Sequence, residues 1–280
     1  MSPNIIGQLP DGYEIRQLKR EHLPWVQAIV AHTMSFDSPV WSRVAYEGGP
    51  AQRAYDMHDA IRPSSLQSIE SGLSYGVFWK HHKCKTPGLE GKLRWDFKDP
   101  SASRETLLEQ MDFPLVSIAM SKDAAAPKST APVGIKSWGE IVDGHKDISP
   151  GLRAGDGRPM SVWAPGAEGE VVRRSGTHTR GDHAGRGLSK ALAHHVMREI
   201  AARGYGAIII HTAGDAVNRV WLNPPAPFRA EEISSFKTAD FVKEDGETGE
   251  LYNPFGNAAV DCKRIWVTWP SNQKYVKTKG

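Results

Sequence analysis

Cysteine is nearly missing from this chain. Two thiols, Cys84 and Cys262, stand far apart in 280 residues. A disulfide framework and the paired spacing of a metal or redox site are therefore both excluded, and a reducing compartment is the expectation. Long apolar runs are missing too. No stretch approaches the roughly 20 residues that span a bilayer. The opening segment MSPNIIGQLPDGYEIRQL has no apolar core flanked by basic residues, so it does not read as a signal peptide. These absences predict a cytoplasmic protein without membrane contact. Charge of one sign is scarce as well: 35 Lys and Arg against 32 Asp and Glu give a net charge of +3, without a basic stripe. That speaks against nucleic acid as a partner, while a mildly positive site suits an anionic small molecule.

What is present reads as alternating strands and helices without internal repeats. GYEIRQL (12–18) alternates like a strand, and Leu23, Val26, Ile29 and Val30 mark a helix over 20–32. Residues 51–73 read as two helical pieces broken by Pro63, followed by a strand over 74–82 and a short helix over 104–110. PLVSIAMS (114–121) and PVGIKSWGEIV (132–142) are expected to be two strands of a hairpin. Residues 143–168, rich in Gly and Pro, are expected to form a long loop. GEVVRRSGTHT (169–179) reads as a strand. Leu188, Ala191, Leu192, Val196 and Ile200 recur on one helical face, with Gly204 placed to end the helix. AIIIHT (207–212) reads as a buried strand, 231–238 as a helix and RIWVTW (264–269) as a last strand. The order implies one α+β sheet rather than a doubly wound parallel one.

The segment THTRGDHAGRGLSKAL (177–192) carries chemistry. It sets a glycine-rich turn between a strand and an amphipathic helix. The first N–H groups of a helix lack intrahelical partners, and its dipole leaves partial positive charge there. Gly185 and Gly187 allow close backbone approach, so a pyrophosphate fits, with Arg186 and Lys190 adding positive charge. The dinucleotide-binding pattern fails because Lys190 stands where its third glycine belongs. The P-loop fails because no Gly-Lys-Ser/Thr triplet closes the turn.

HAGRGLSKAL resembles the acetyl-coenzyme A signature of the GNAT family of N-acetyltransferases, Arg/Gln-x-x-Gly-x-Gly/Ala. Gly187 is taken as its central glycine, Ser189 as its terminal small residue and Leu192 as the apolar helix position that follows. Ala184 stands where the family has Arg or Gln, with His183 before it. The opening strand and helix, the expected hairpin, and Asp240-Phe241 in place of a Gly-Phe pair extend the resemblance over 12–32 and about 114–269. Residues 36–111 have no counterpart and are treated as an insertion. The resemblance implies a single domain over 1–280 with a mixed, mostly antiparallel central sheet flanked by helices. It implies acetyl-CoA as co-substrate, no metal, and a small-molecule amine as acceptor. The alternatives are a protein lysine or N-terminal acetyltransferase and a non-catalytic acetyl-CoA sensor. It leaves the oligomeric state open, a homodimer included.

The resemblance also implies roles for residues. Thr177, His178 and Thr179, on a strand that parts from its neighbour near Gly176, would meet the pantetheine arm. His183, Ala184, Gly185, Arg186, Gly187, Leu188, Ser189 and Lys190 would surround the pyrophosphate, and Asn218 would reach the pantetheine. Glu170, on the face of His178 by strand parity, is one candidate base. Glu140 on the neighbouring expected strand is another, and a water relay a third. The usual acid tyrosine is replaced by Phe236, with Tyr252 as the remaining candidate. His211 at a strand end reads more readily as structural than catalytic. The pairs His81-His82 and His194-His195 diverge in direction and carry no metal site. Trp41, Tyr46, Tyr55, Tyr75, Trp79 and Trp95 gather in the N-terminal half and suit an aromatic wall for an amine.

Overall fold

The computed structural model describes residues 9–127, 129, 134–142 and 144–270. Strand β1 (Tyr13–Gln17) leads into α1 (Leu23–His32), where Pro24 sits in the first turn and forfeits no hydrogen bond. Helices α2 (Gly49–Ala60) and α3 (Arg62–Glu70) pack on α1, with Pro63 opening α3. Next come β2 (Tyr75–Trp79), α4 (Arg104–Glu109) and β3 (Leu115–Asp123). Three short helices follow: α5 (Trp138–Ile141), α6 (His145–Ala154) and α7 (Met160–Trp163). Then come β4 (Val171–Thr179), α8 (Leu188–Ala202), β5 (Ala207–Ala213) and α9 (Asp215–Leu222). The chain continues through β6 (Arg229–Lys237), a small hairpin of β7 (Lys243–Glu244) and β8 (Leu251–Tyr252), and β9 (Asp261–Thr268).

Seven strands form one sheet in the order β1-β2-β3-β4-β5-β9-β6. Only β4 and β5 run parallel; every other neighbouring pair is antiparallel. The mixed, mostly antiparallel α+β architecture expected from the sequence is therefore present. One face carries α8 and α9, whose Leu192, Val196, Ile200 and Trp221 meet Val77, Val172, Ile208 and Val267 of the sheet. The opposite face carries α1, α2 and α3 and, over the far strands, α5, α6 and α7. Among the described residues no helix is long and apolar enough to cross a membrane.

Four expectations need correction. The second and third strands are β2 and β3, so residues 36–111, treated as an insertion, supply a strand of the central sheet. The expected strand over 132–142 is helix α5 from Trp138 onward, because Ser137 and Glu140 form a reciprocal capping box; Pro132 and Val133 lie outside the described residues. The expected loop over 143–168 contains α6 and α7. Ile148 and Leu152, one helical turn apart, bury the apolar face of α6 although Pro150 stands inside it. The expected helix over 231–238 is strand β6. A register shift between Glu232 and Ser234 leaves Ile233 without an opposite residue and breaks the strand alternation. The helix of that region is α9, which opens at Asp215 in the favourable first-turn position for an acid.

Leu192 is fully buried between α8 and the sheet. Leu192→Ala is expected to lower unfolding free energy by about 2–5 kcal/mol, the range for a buried leucine that leaves a cavity. Urea denaturation followed by tryptophan fluorescence checks this.

Candidate functional site

The site begins where a ladder stops. Strands β4 and β5 are paired only from Val171↔Ala207 to Arg174↔Ile210. Beyond that point Gly176–Thr179 pair with β3 alone and His211–Ala213 with β9 alone. The two strands part, and one edge of each keeps backbone groups that the other does not satisfy. The parting coincides with a bulge: Met120 faces Gly176 and Ser121 faces Arg174, so Ser175 is the extra residue.

Arg174 spans this break from the α8–α9 side. Its guanidinium donates to Met120 O, to Ser121 Oγ (2.7 Å), to Gly176 O (3.1 Å) and to Thr177 Oγ1 (2.8 Å), and it lies over the Trp221 ring. No carboxylate is among these partners, and burial pushes its pKa down to about 9. The adjacent Arg173 faces the other side of the sheet.

The glycine turn follows directly. Gly185 (φ +74°) and Gly187 (φ +76°) both occupy the left-handed region, and a Cβ at either would meet open space. Their need for glycine is thus one of backbone conformation. Gly187 is the N-cap of α8 and offers no side-chain cap, so the first N–H groups of this 15-residue helix stay available. Set on this pair, the Gly-x-Gly of the signature falls on Gly185 and Gly187 and its first position on Asp182. Arg180 anchors the turn by donating to Met111 O (2.8 Å), Phe113 O (3.0 Å) and Asp182. Thr179 Oγ1 lies 2.7 Å from Ser117 Oγ and 2.9 Å from Ser189 Oγ, tying the end of β4 to the first turn of α8.

A cavity of about 830 Å³ occupies the gap between the parted strands and extends to the opposite face of the sheet. It is lined by β4 and β5 together with Met34, Trp41, Trp138, His145 and Ile148. The His145 ring sits against Trp138 at 4.6 Å, and burial pushes its pKa down to about 4. His178 also lines the cavity. Thr33 Oγ1 commits its proton to the Ile29 carbonyl (2.8 Å), so at 2.8 Å from His178 Nδ1 it accepts. Nδ1 therefore carries the ring proton and Nε2 keeps a free lone pair. Nε2 lies over Gly176, where a Cβ would stand 2.9 Å from it. Burial, with Arg174 adding, pushes the His178 pKa down to about 4. His211 is fixed in the same tautomer. Arg264 can only donate, so His211 Nε2 accepts from it at 2.8 Å and Nδ1–H points at Ser149 Oγ, also 2.8 Å away. Burial, then the neighbouring arginines, pushes the His211 pKa down to about 3.

The structure brings Thr177, His178 and Thr179 to the cavity. Gly185, Arg186, Gly187, Ser189 and Lys190 gather at the open end of α8, with Ala184 exposed beside them and Leu188 buried beneath. His183 turns the other way, 2.8 Å from Tyr13 Oη and edge-on to Trp79. Asn218 is buried on α9, accepting from Thr212 and donating to Asp261 O (3.0 Å). Glu170 stands at the opposite end of β4, where its carboxylate accepts from Gly166 N (2.7 Å). The bulge at Ser175 inverts the alternation between Glu170 and His178, so strand parity does not put them on one face. Glu140 caps α5 at Ser137, and Tyr252 lies in the β7–β8 hairpin. Neither lines the cavity. Sequence reading missed Thr33, Arg173, Arg174, His145 and Ser149. Only the arginine pair left a signal, because adjacent charges in a buried strand must point to opposite faces.

No protein-family model and no curated protein matches the chain. Solved structures do match. The C-terminal condensation domain of Ebony, in complex with β-alanyl-dopamine, is 15% identical with a TM-score of 0.56, covering 91% of this chain and 97% of that one. A mosquito arylalkylamine N-acetyltransferase like 5b is 14% identical with a TM-score of 0.55, covering 92% and 100%. A mutant agmatine N-acetyltransferase is 11% identical with a TM-score of 0.52, covering 93% and 100%. At these identities the likeness is one of fold.

The three cavity histidines give a pH signature. An unfolded histidine takes up its proton near pH 6.5, whereas His145, His178 and His211 stay neutral down to about 4, 4 and 3. Between pH 6.5 and 4 the unfolded state binds more protons, so stability is full above that window and falls as the pH drops through it. Ring resonances in NMR are expected to keep the neutral form of all three at pH 5.5. A protonated ring at that pH would contradict the assigned geometry.

Proposed function

We propose that this chain, which has the GNAT fold, transfers an acetyl group from acetyl-coenzyme A to the amine of a small molecule. The observation that carries the reading is the junction of the parted strands. Its unpaired β4 edge leads on one side to the uncapped start of α8, and the gap opens on a cavity of about 830 Å³. The pyrophosphate fits the N–H groups of Leu188, Ser189 and Lys190, reached over two glycines that leave the approach clear. The pantetheine amides fit the unpaired edge of β4 between Ser175 and Thr179. The aromatic lining that α5 and α6 add through Trp138 and His145, in a cavity of about 830 Å³, suits a small acceptor.

In this reading the neutral amine attacks the thioester carbon, and backbone N–H groups of the free β4 edge stabilise the oxyanion. His178 Nε2 accepts the proton that the nitrogen sheds as the C–N bond forms. The oxyanion then collapses, the C–S bond breaks, and coenzyme A leaves as a thiolate that takes this proton back from the imidazolium. Thr33 holds the ring in the tautomer that leaves the Nε2 lone pair facing the cavity. Because His178 is neutral far below physiological pH, it is always ready to accept. It is also too weak a base to deprotonate a free ammonium group, so the enzyme takes the amine already neutral from solution.

Titration calorimetry is expected to show acetyl-CoA binding to the wild type and its loss, by 100-fold or more, in Gly187→Glu, whose carboxylate meets the pyrophosphate. Circular dichroism checks that the variant remains folded. No binding to the folded wild type would sink the reading.

His178→Gln is expected to lower kcat by about 10²–10⁴, the usual worth of a positioned base. For the wild type, kcat/KM should rise with pH up to the acceptor amine's own pKa, without an inflection at pH 6–7. Thiol release measured across pH 5.5–9.5 decides this, and a histidine-like inflection would remove His178 from the role.

A further inference from the structure

Arg173 is a cation with no role in the scheme above. It projects from β4 into the cavity beside Ile209 and His211. Among the described residues it has no hydrogen-bond partner and no carboxylate. The charged groups acting on it are cations: Arg153 from α6 and Lys122 from the paired position on β3. The other cavity charges do not neutralise it. Asp37 is engaged by Arg104 at 2.6 Å, Arg174 is spent on the bulge, and His211 is neutral. Asp215 and Arg219, on the α9 rim, are solvent-exposed. A largely desolvated guanidinium without an anion is unfavourable and is relieved when an anionic group binds.

A second donor faces the same part of the cavity. Ser149 Oγ accepts from His211 Nδ1–H, as the Arg264 contact dictates, so its own hydroxyl proton is left to donate. A planar guanidinium and a hydroxyl donor are the groups that recognise a carboxylate. Trp41, Trp138 and His145 offer an aromatic surface for the rest of the molecule. Resting on the acetyl-transfer reading, we infer that the acceptor is an amino acid: an amine that carries a free carboxylate, held by Arg173 and Ser149 while the amine faces His178.

Matched acceptor pairs test this. Acetyl-CoA binding is first verified by calorimetry, because its absence means the acetyl-transfer reading has failed and the acceptor assignment falls with it. Thiol release is then followed with phenylalanine against phenethylamine, tryptophan against tryptamine, and γ-aminobutyrate against propylamine, with agmatine as a dication. At least one carboxylated member is expected to exceed its partner in kcat/KM by on the order of 100-fold, and agmatine should be among the poorest acceptors. Arg173→Gln should collapse that ratio toward unity, chiefly through KM, and Arg173→Lys should restore part of it. If acetyl-CoA binds but no pair favours its carboxylated member, or if the ratio survives in Arg173→Gln, the assignment is wrong and acetyl transfer to another amine stands.

Discussion

The guanidinium of Arg174 holds open a gap that backbone chemistry would otherwise close. Two parallel strands in mid-sheet have every reason to continue their ladder, since an unsatisfied buried peptide group is costly. Here the ladder ends at Arg174↔Ile210, and the side chain of that last paired residue turns back across the bulge to serve two carbonyls and two hydroxyls of β3 and β4. Each such charge-assisted bond is worth about 1.5–3 kcal/mol when its partner is otherwise unpaired. The brace adds to the ladder pairs Met120↔Gly176 and Ser121↔Arg174 that flank the extra residue at Ser175. That side chain fixes the carbonyl of Gly176 and the hydroxyl of Thr177, the two residues that lead to His178.

Burial keeps the cavity imidazoles neutral, and nearby guanidinium groups add to it: Arg174 at His178, and Arg264, Arg173 and Arg153 at His211. His178 and His211 each donate from Nδ1 to a hydroxyl, and in each the environment opposes a second proton. One of the two uses its remaining lone pair to receive Arg264. The other has no such partner among the described residues. Two histidines in matching tautomers are thereby separated into a structural and a reactive one by what lies at Nε2.

Much of this was legible in the sequence, and the failures have physical causes. The period of α8, the apolar run of β5 and the glycine turn between β4 and α8 are local signals, and each appears where the pattern put it. Segments 132–142 and 231–238 were misread because local pattern and tertiary context disagree there. Ser137-Trp-Gly-Glu140 is a capping box embedded among residues that alternate like a strand. Ile233 and Phe236 stand three apart as in a helix, because a bulge inserts Ile233 into an edge strand. Helix α6 hid behind Pro150 and Gly151, two residues disfavoured inside a helix, and holds by burying Ile148 and Leu152. At the site, Glu170 was put on the face of His178 by counting residues in twos. That count fails across Ser175, a feature visible only once β3 lies beside β4.

The arginine pair shows how one such shift divides labour. In a regular strand, residues 173 and 174 point to opposite faces, and the bulge that follows lets the next residues change sides. Arg174 goes to the face of α8 and α9, where it braces the opening, and Arg173 goes to the face of α6, where no carboxylate among the described residues meets it. Two identical side chains with identical intrinsic chemistry thus carry opposite meanings. The one whose donors are all engaged is part of the scaffold. The other, desolvated and without an anion among the described residues, is the cation that the proposed carboxylate would meet.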